Sequence, residues 1–200
     1  KVSEVFFSFG GAMLIKREII NKIGAYDPVF FTLADDIDLC WRAHLAGYKV
    51  VVQPRALLYH MASATLGTIF GRSRKRYLSE RNTFRMLLKN YSSSTLAKLL
   101  PFYLGLLMAE MALFLMLRKI RLVITYLQAI LWNLRNFRDT WTLHAVTQQL
   151  RVTSDKDLQK MMYKKSFKIK ILKEFLRTRK ARHGGYILES QLSMSCLNSL

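Results

Sequence analysis

From Leu99 to Leu117 the chain is apolar for nineteen residues with Glu110 as the only interruption, between Lys98 on one side and Arg118-Lys119 on the other. That length falls within the roughly 17–25 residues a helix needs to cross a bilayer. A helix apolar on all sides has to bury its whole circumference, in protein or in lipid. A buried core helix fits the same description, but the basic flanks favour membrane contact.

The segments around this run are strongly cationic. The chain carries a formal net charge of +19. Residues 1–70 hold seven Lys and Arg against six Asp and Glu, whereas residues 71–200 hold 25 against seven. A near-neutral part therefore precedes one suited to polyanions, either anionic lipid or nucleic acid. Arg72–Asn90 has apolar positions at Tyr77, Phe84 and Leu88 with Tyr91 following, and basic residues on its other faces, so a basic amphipathic helix is expected. Ser92-Ser93-Ser94 reads as a loop and helix start. Ile120–Asp139 sets Arg121, Thr125, Gln128, Arg135 and Asp139 against Val123, Ile124, Leu127, Leu131 and Leu134, a pattern suited to lying in an interface. Ser154-Asp155-Lys156-Asp157 resembles a capping box opening a lysine-rich helix to about Arg182. Basic residues interleaved with long apolar stretches favour lipid over nucleic acid. A hairpin or a single crossing conflicts with the placement of positive charge, so a monotopic arrangement in the cytoplasmic leaflet is expected.

The first seventy residues read differently. Val5–Ile15 suggests a buried strand interrupted at Gly10-Gly11, and Lys16–Ile23 a helix stopped by Gly24. Tyr26-Asp27-Pro28 is turn chemistry. Asp35 or Asp36 suits an N-cap, with Ile37, Trp41 and Leu45 on one helical face until Gly47. Tyr48–Val52 and Ala56–His60 read as short strands. Such an order indicates an α/β sheet domain followed by an all-helical region, divided as 1–70, 71–150 and 151–200. Cys40 and Cys196 indicate no disulfide framework.

Three carboxylates, Asp35, Asp36 and Asp38, fall within four residues at the mouth of one expected helix. Clustered acids more often mark chemistry or a cation than solubility. Asp38 with Arg42 also fits an ordinary i,i+4 pair, and that structural reading is favoured for Asp38. Trp41 and Cys40 are expected in the core.

Gly10-Gly11-Ala12-Met13-Leu14-Ile15-Lys16-Arg17, Ile23-Gly24-Ala25-Tyr26-Asp27, and Phe30-Phe31 through Asp35-Asp36-Ile37-Asp38-Leu39-Cys40-Trp41-Arg42 together resemble family 2 glycosyltransferases. The match continues through Ala46-Gly47-Tyr48 to Tyr59-His60. It is similar to the C-terminal, acceptor-side half of a GT-A (Rossmann-like) catalytic domain, and the helical tail to that of membrane-associated members. The resemblance implies inverting transfer of a hexosyl or deoxyhexosyl group from a nucleotide-diphosphate sugar to an acceptor hydroxyl, in cell-envelope or lipid-linked glycan synthesis. It implies Asp36 as general base and Asp35 as the residue orienting the acceptor. Gly10, Gly11 and Ala12 would line the substrate, and His60 would be a metal ligand. A divalent metal, Mg or Mn, is implied, with its main ligands in a donor-binding half preceding Lys1. The Asp36-Ile37-Asp38 triplet has Asp-x-Asp spacing but lies in the later acidic motif, so it is not assigned the donor-metal role. Expected partners are the nucleotide-sugar donor, a glycan or lipid-linked acceptor and an anionic membrane surface at the cytoplasmic face of the cell membrane, with nucleic acid disfavoured. The competing reading is a non-catalytic basic module that binds membrane or nucleic acid.

Overall fold

In a computed structural model of the chain, residues 1–59 and 71–162 are described. The first segment carries β1 (Ser3–Glu4), a 3-10 turn (Gly10–Ala12), α1 (Arg17–Ile23), α2 (Asp35–Leu45) and β2 (Val51–Val52). The second carries α3 (Arg72–Asn90), α4 (Ser93–Met116), α5 (Ile120–Arg135), α6 (Phe137–Gln149) and α7 (Asp155–Met161). His60 lies outside the described residues, as does the lysine-rich continuation towards Arg182.

β1 and β2 pair antiparallel, Ser3 opposite Val52 and Glu4 opposite Val51. Among the described residues this ribbon is the whole of the sheet, so the expected α/β layer is represented only by two short strands beside α1 and α2. The continuous buried strand expected over Val5–Ile15 does not form. Phe6 enters the core, Phe9 and Leu14 face outward, and the chain turns at Gly10-Gly11, closed by Ala12 N–H donating to the Phe9 carbonyl. With β2 only two residues long, no described strand runs alongside to satisfy the rest of that backbone.

α2 is the central element of this segment, and its residues Ile37 to Leu45 are all buried. Trp41 meets Tyr91 edge-on at 4.6 Å and Phe6 at 5.6 Å. The same core contains Phe30, Ile37 and Leu45 from the first segment and Phe84, Leu88, Leu96 and Leu158 from the second. The helix ends at Gly47, whose φ of +84° is costly for any other residue, and an added Cβ would also lie 2.9 Å from Val152.

α3 departs from the expected basic amphipathic helix. Three of its cations point inward: Arg76 pairs with Glu80, Arg85 with Asp27 and Asp139, and Lys89 with Asp27 and Asp38. Arg76, Arg85 and Lys89 are all buried. A charge run that reads as a solvated face is here the ionic hub against which α2, α5 and α6 pack.

α4 is capped by Ser92, which accepts from Thr95 N–H, and it is long and apolar enough to cross a membrane. Only Leu96, Leu107, Glu110 and Phe114 of it are buried. α5 ends at Arg135 instead of continuing to Asp139, and a separate helix, α6, follows immediately. α5 also turns inside out. Thr125, Tyr126, Ala129 and Asn133 are buried, whereas Ile120, Ile124, Leu127, Leu131 and Leu134 are exposed. Ser154 N-caps α7 as expected, its Oγ accepting from Asp157 N–H at 3.2 Å, while Asp157 Oδ2 accepts from the Ser154 hydroxyl instead of from its backbone N–H.

Candidate active site

The connection from α1 to α2 is built in two parts. Asp27 Oδ1 accepts from Val29 N–H at 3.1 Å, the turn expected from Tyr26-Asp27-Pro28. Beyond Phe30 the backbone goes left-handed at three residues without a glycine among them: Phe31 (φ 61°), Leu33 (φ 67°) and Ala34 (φ 72°). Thr32 N–H donates back to Phe30 O at 2.6 Å, closing a three-residue turn around Phe31. Each such conformation costs roughly 1–3 kcal/mol and persists only where its surroundings enforce it. Ala34, not an aspartate, holds the N-cap position, so Asp35 and Asp36 occupy the first turn of α2. There their charges still favour the positive end of the helix dipole.

Asp36 lies against the 3-10 turn. Its Oδ2 accepts from Gly10 N–H at 3.3 Å and its Oδ1 from Ile37 N–H at 2.8 Å. A Cβ added at Gly10 would stand 3.2 Å from the Asp36 Cβ and 3.5 Å from the Tyr26 hydroxyl oxygen. Glycine at position 10 therefore permits the close approach. Burial raises the Asp36 pKa above the ordinary aspartate value, and the Asp35 charge adds to this while backbone donors oppose it. Burial, then Asp35 and Asp36, raise the Tyr26 phenol in the same way. The structure thus brings Gly10, Asp35 and Asp36 together. Gly11 and Ala12 are exposed on the same turn. Tyr26 was absent from the expected site, although it sits inside the matching Ile23–Asp27 segment; only the fold shows its hydroxyl near Gly10 and Asp36.

Asp38 faces the other way. Arg42 Nε donates to its Oδ2 at 2.9 Å, Asn90 Nδ2 to its Oδ1 at 2.9 Å, and Lys89 Nζ lies 2.8 Å from Oδ1. The Arg42 guanidinium also reaches the carbonyls of Ile23, Gly24 and Ala25, tying the end of α1 to α2. This is the structural role favoured for Asp38, with two further partners from α3. Neighbouring Asp27 is likewise enclosed. Burial alone would raise it, but Lys89 and Arg85 overrule burial and hold its carboxyl below the ordinary value. Burial pushes the Cys40 thiol up to about 11, leaving it a small core residue.

A divalent metal does not fit the described residues. They contain no group of three or more His, Cys, Asp and Glu side chains able to hold one, and the third acid of the cluster is already saturated by Lys89, Arg42 and Asn90.

Comparison with known proteins identifies a family. The family described as "Glycosyl transferase family group 2" matches residues 1–137. The chain is 45% identical over 56 residues to the uncharacterized protein y4gI of Sinorhizobium fredii, covering 28% of this chain and 6% of that protein. It is 27% identical over 91 residues to poly-beta-1,6-N-acetyl-D-glucosamine synthase of Staphylococcus aureus, covering 46% of this chain and 21% of the synthase. The chain thus spans a small part of the length of both relatives. No solved structure matches it. The chain belongs to the family 2 glycosyltransferases.

Proposed function

We propose that this chain is the acceptor-side part of an inverting glycosyltransferase in which Asp36 is the general base. The observation that carries the reading is the placement of Asp36: a carboxylate in the first turn of α2, partly buried, and within reach of Gly10 N–H. In the proposed reaction the acceptor hydroxyl gives its proton to Asp36 as its oxygen forms a bond to the anomeric carbon. The bond from that carbon to the diphosphate breaks, and its electron pair leaves with the nucleoside diphosphate. A base contributes most when its pKa lies near working pH, which is the direction in which burial moves Asp36. Asp35 orients the acceptor from the adjoining position, and the exposed Gly10–Ala12 turn gives sugar rings a surface without bulky side chains.

The proposed donor is a nucleoside-diphosphate hexose. The synthase relative makes UDP-N-acetylglucosamine a sensible first probe. The proposed GT-A sheet would be completed by strands other than β1 and β2. A cation on the donor diphosphate is part of this reading, with its ligands outside the described residues.

Membrane association is proposed at the cytoplasmic face, in support of cell-envelope or lipid-linked glycan synthesis. Its support is the inside-out character of α4 and α5. Glu110 and Tyr126 hydrogen-bond inside while Phe102, Met108, Leu115, Leu127 and Leu131 face outward. That surface suits lipid. The inward-turned cations of α3 leave less basic surface for nucleic acid than the sequence suggested.

The test is Asp36→Asn in the complete enzyme, with nucleoside diphosphate release followed across a panel of nucleotide sugars that includes UDP-N-acetylglucosamine. Turnover is expected to fall about 10²–10⁴-fold, with UDP binding by calorimetry unchanged. Undiminished turnover would sink the assignment.

A further inference from the structure

We propose that Asn82, assisted by Arg81, is a positioning residue for the Asp35–Asp36 turn, holding the left-handed loop before α2 in the shape that presents the base. The inference rests on the reading of Asp36 above.

Asn82 lies on α3, about fifty residues beyond the loop, and has 0% exposure. Its Nδ2 is 2.7 Å from the Thr32 carbonyl, 2.8 Å from that of Leu33 and 3.0 Å from that of Phe30. A carboxamide has two N–H groups, so the three acceptors share them and the amide is saturated as a donor. Its Oδ1 accepts from Arg81 Nε at 2.9 Å. Arg81 continues the contact, with Nη2 2.6 Å from the Val29 carbonyl and 3.4 Å from that of Phe30. The guanidinium is held in turn over the Trp132 ring at 4.9 Å and the Tyr77 ring at 5.5 Å. Two adjacent α3 side chains thus grip four carbonyls, those of Val29, Phe30, Thr32 and Leu33.

The bland alternative is that a buried asparagine simply satisfies a loop. Two features favour positioning. The gripped residues enclose Phe31, include Leu33 and lead directly into Ala34, and these three have positive φ although none is glycine. Local sequence does not favour this path, so the restraint comes from outside the loop. The loop also runs straight into Asp35 and Asp36, leaving no intervening turn to absorb a change in its shape. Losing the grip should let the three residues relax, moving the base relative to the acceptor. A displacement of about 1 Å at a reacting group costs on the order of 10²-fold in rate.

The variants Asn82→Ala and Asn82→Asp are made in the complete enzyme; the aspartate keeps the shape but faces the three carbonyls with oxygen. Three quantities are measured: kcat with the most active donor of the panel, UDP affinity, and hydrogen–deuterium exchange of peptides covering residues 29–34. Leu107→Ala, a cavity in the α4–α5 core, controls for loss of stability. The expected result is a kcat about 10²-fold lower, UDP affinity within about twofold and faster exchange in the loop, with Leu107→Ala retaining kcat per folded molecule. A kcat that falls no further than in Leu107→Ala overturns the proposal. Should both Asn82 variants fail to fold, Arg81→Lys decides. It keeps the charge but loses the fork, so a drop of about tenfold, near 1.4 kcal/mol of transition-state stabilisation, supports the clamp and an unchanged kcat rejects it. The two readings fail separately. Full activity in Asp36→Asn removes the base, whereas an inactive Asp36→Asn beside a fully active Asn82→Ala removes only the clamp.

Discussion

Asp27 and Asp36 are partly buried carboxylates nine positions apart, and their surroundings move them in opposite directions. Burial raises Asp36, so its charge is less at ease in the folded chain than in the unfolded one. Stability linked to Asp36 is therefore lost as pH rises from the unfolded value near 3.8 through the raised folded value, and neutral pH carries the full cost. Asp36→Asn should accordingly unfold at the same or a higher urea concentration than wild type at pH 7 while losing turnover. A clear loss of stability would argue that Asp36 is structural. Asp27 is the reverse case. Its lowered pKa stabilises the fold above the ordinary value and the contribution disappears as pH falls through the folded value, below 3.8. Asp27→Asn, which leaves Arg85 and Lys89 short of a buried partner, should cost about 3 kcal/mol at pH 7, and its penalty should shrink in acid unfolding below about pH 4. The acid cluster itself was legible in sequence, as was the structural part of Asp38. The Tyr26 and Asn82 contacts were not, because they depend on backbone paths and neighbours that residue spacing does not encode.

Helices that carry their own start and stop signals were read well. α1 ends at Gly24, α2 at Gly47, and α4 and α7 begin at Ser92 and Ser154. These signals are local hydrogen-bonding and φ requirements, visible within a few residues. α3 forms over the expected Arg72–Asn90, but Arg76, Arg85 and Lys89 are buried where a solvated basic face is expected. Its partners Asp27, Asp38 and Asp139 lie about fifty to sixty residues away, so no helical-wheel reading could show that its cations turn inward. The supposed strand over Val5–Ile15 failed for the same kind of reason, since an apolar run pairs only where a partner strand is supplied. For α3 the consequence is measurable. Lys89→Met leaves Asp27 and Asp38 with fewer counter-charges in a buried site and should cost about 3–5 kcal/mol. Lys98→Met, on the exposed side of α4, should change stability by less than about 0.5 kcal/mol. Equal effects in urea unfolding would mean that α3 does not form the ionic hub.

At the scale of the whole molecule, net charge and surface character make different predictions about membrane contact. A chain of +19 held by charge alone should bind anionic vesicles and release them in high salt. Contact through α4 and α5 should instead be apolar, because Ile124, Leu127, Leu131 and Leu134 face outward along α5 beside the exposed Phe102, Met108 and Leu115 of α4. At 16 residues α5 extends only about 24 Å, shorter than the roughly 30 Å hydrocarbon core, so it fits a helix lying at the surface. The full chain should therefore float with zwitterionic liposomes and stay bound at about 0.5 M salt, where the Debye length is only a few ångströms. Leu127→Asp with Leu131→Asp puts two charges on that face. Even about 1 kcal/mol for each, well below the cost at a bilayer centre, should lower the bound-to-free ratio at least about tenfold. Transfer measured in detergent should survive the double substitution, since both side chains are exposed on α5 and neither is a partner of Asp36 or of the buried α3 ion pairs. Binding confined to anionic liposomes and abolished by salt would instead return the membrane contact to the basic segments.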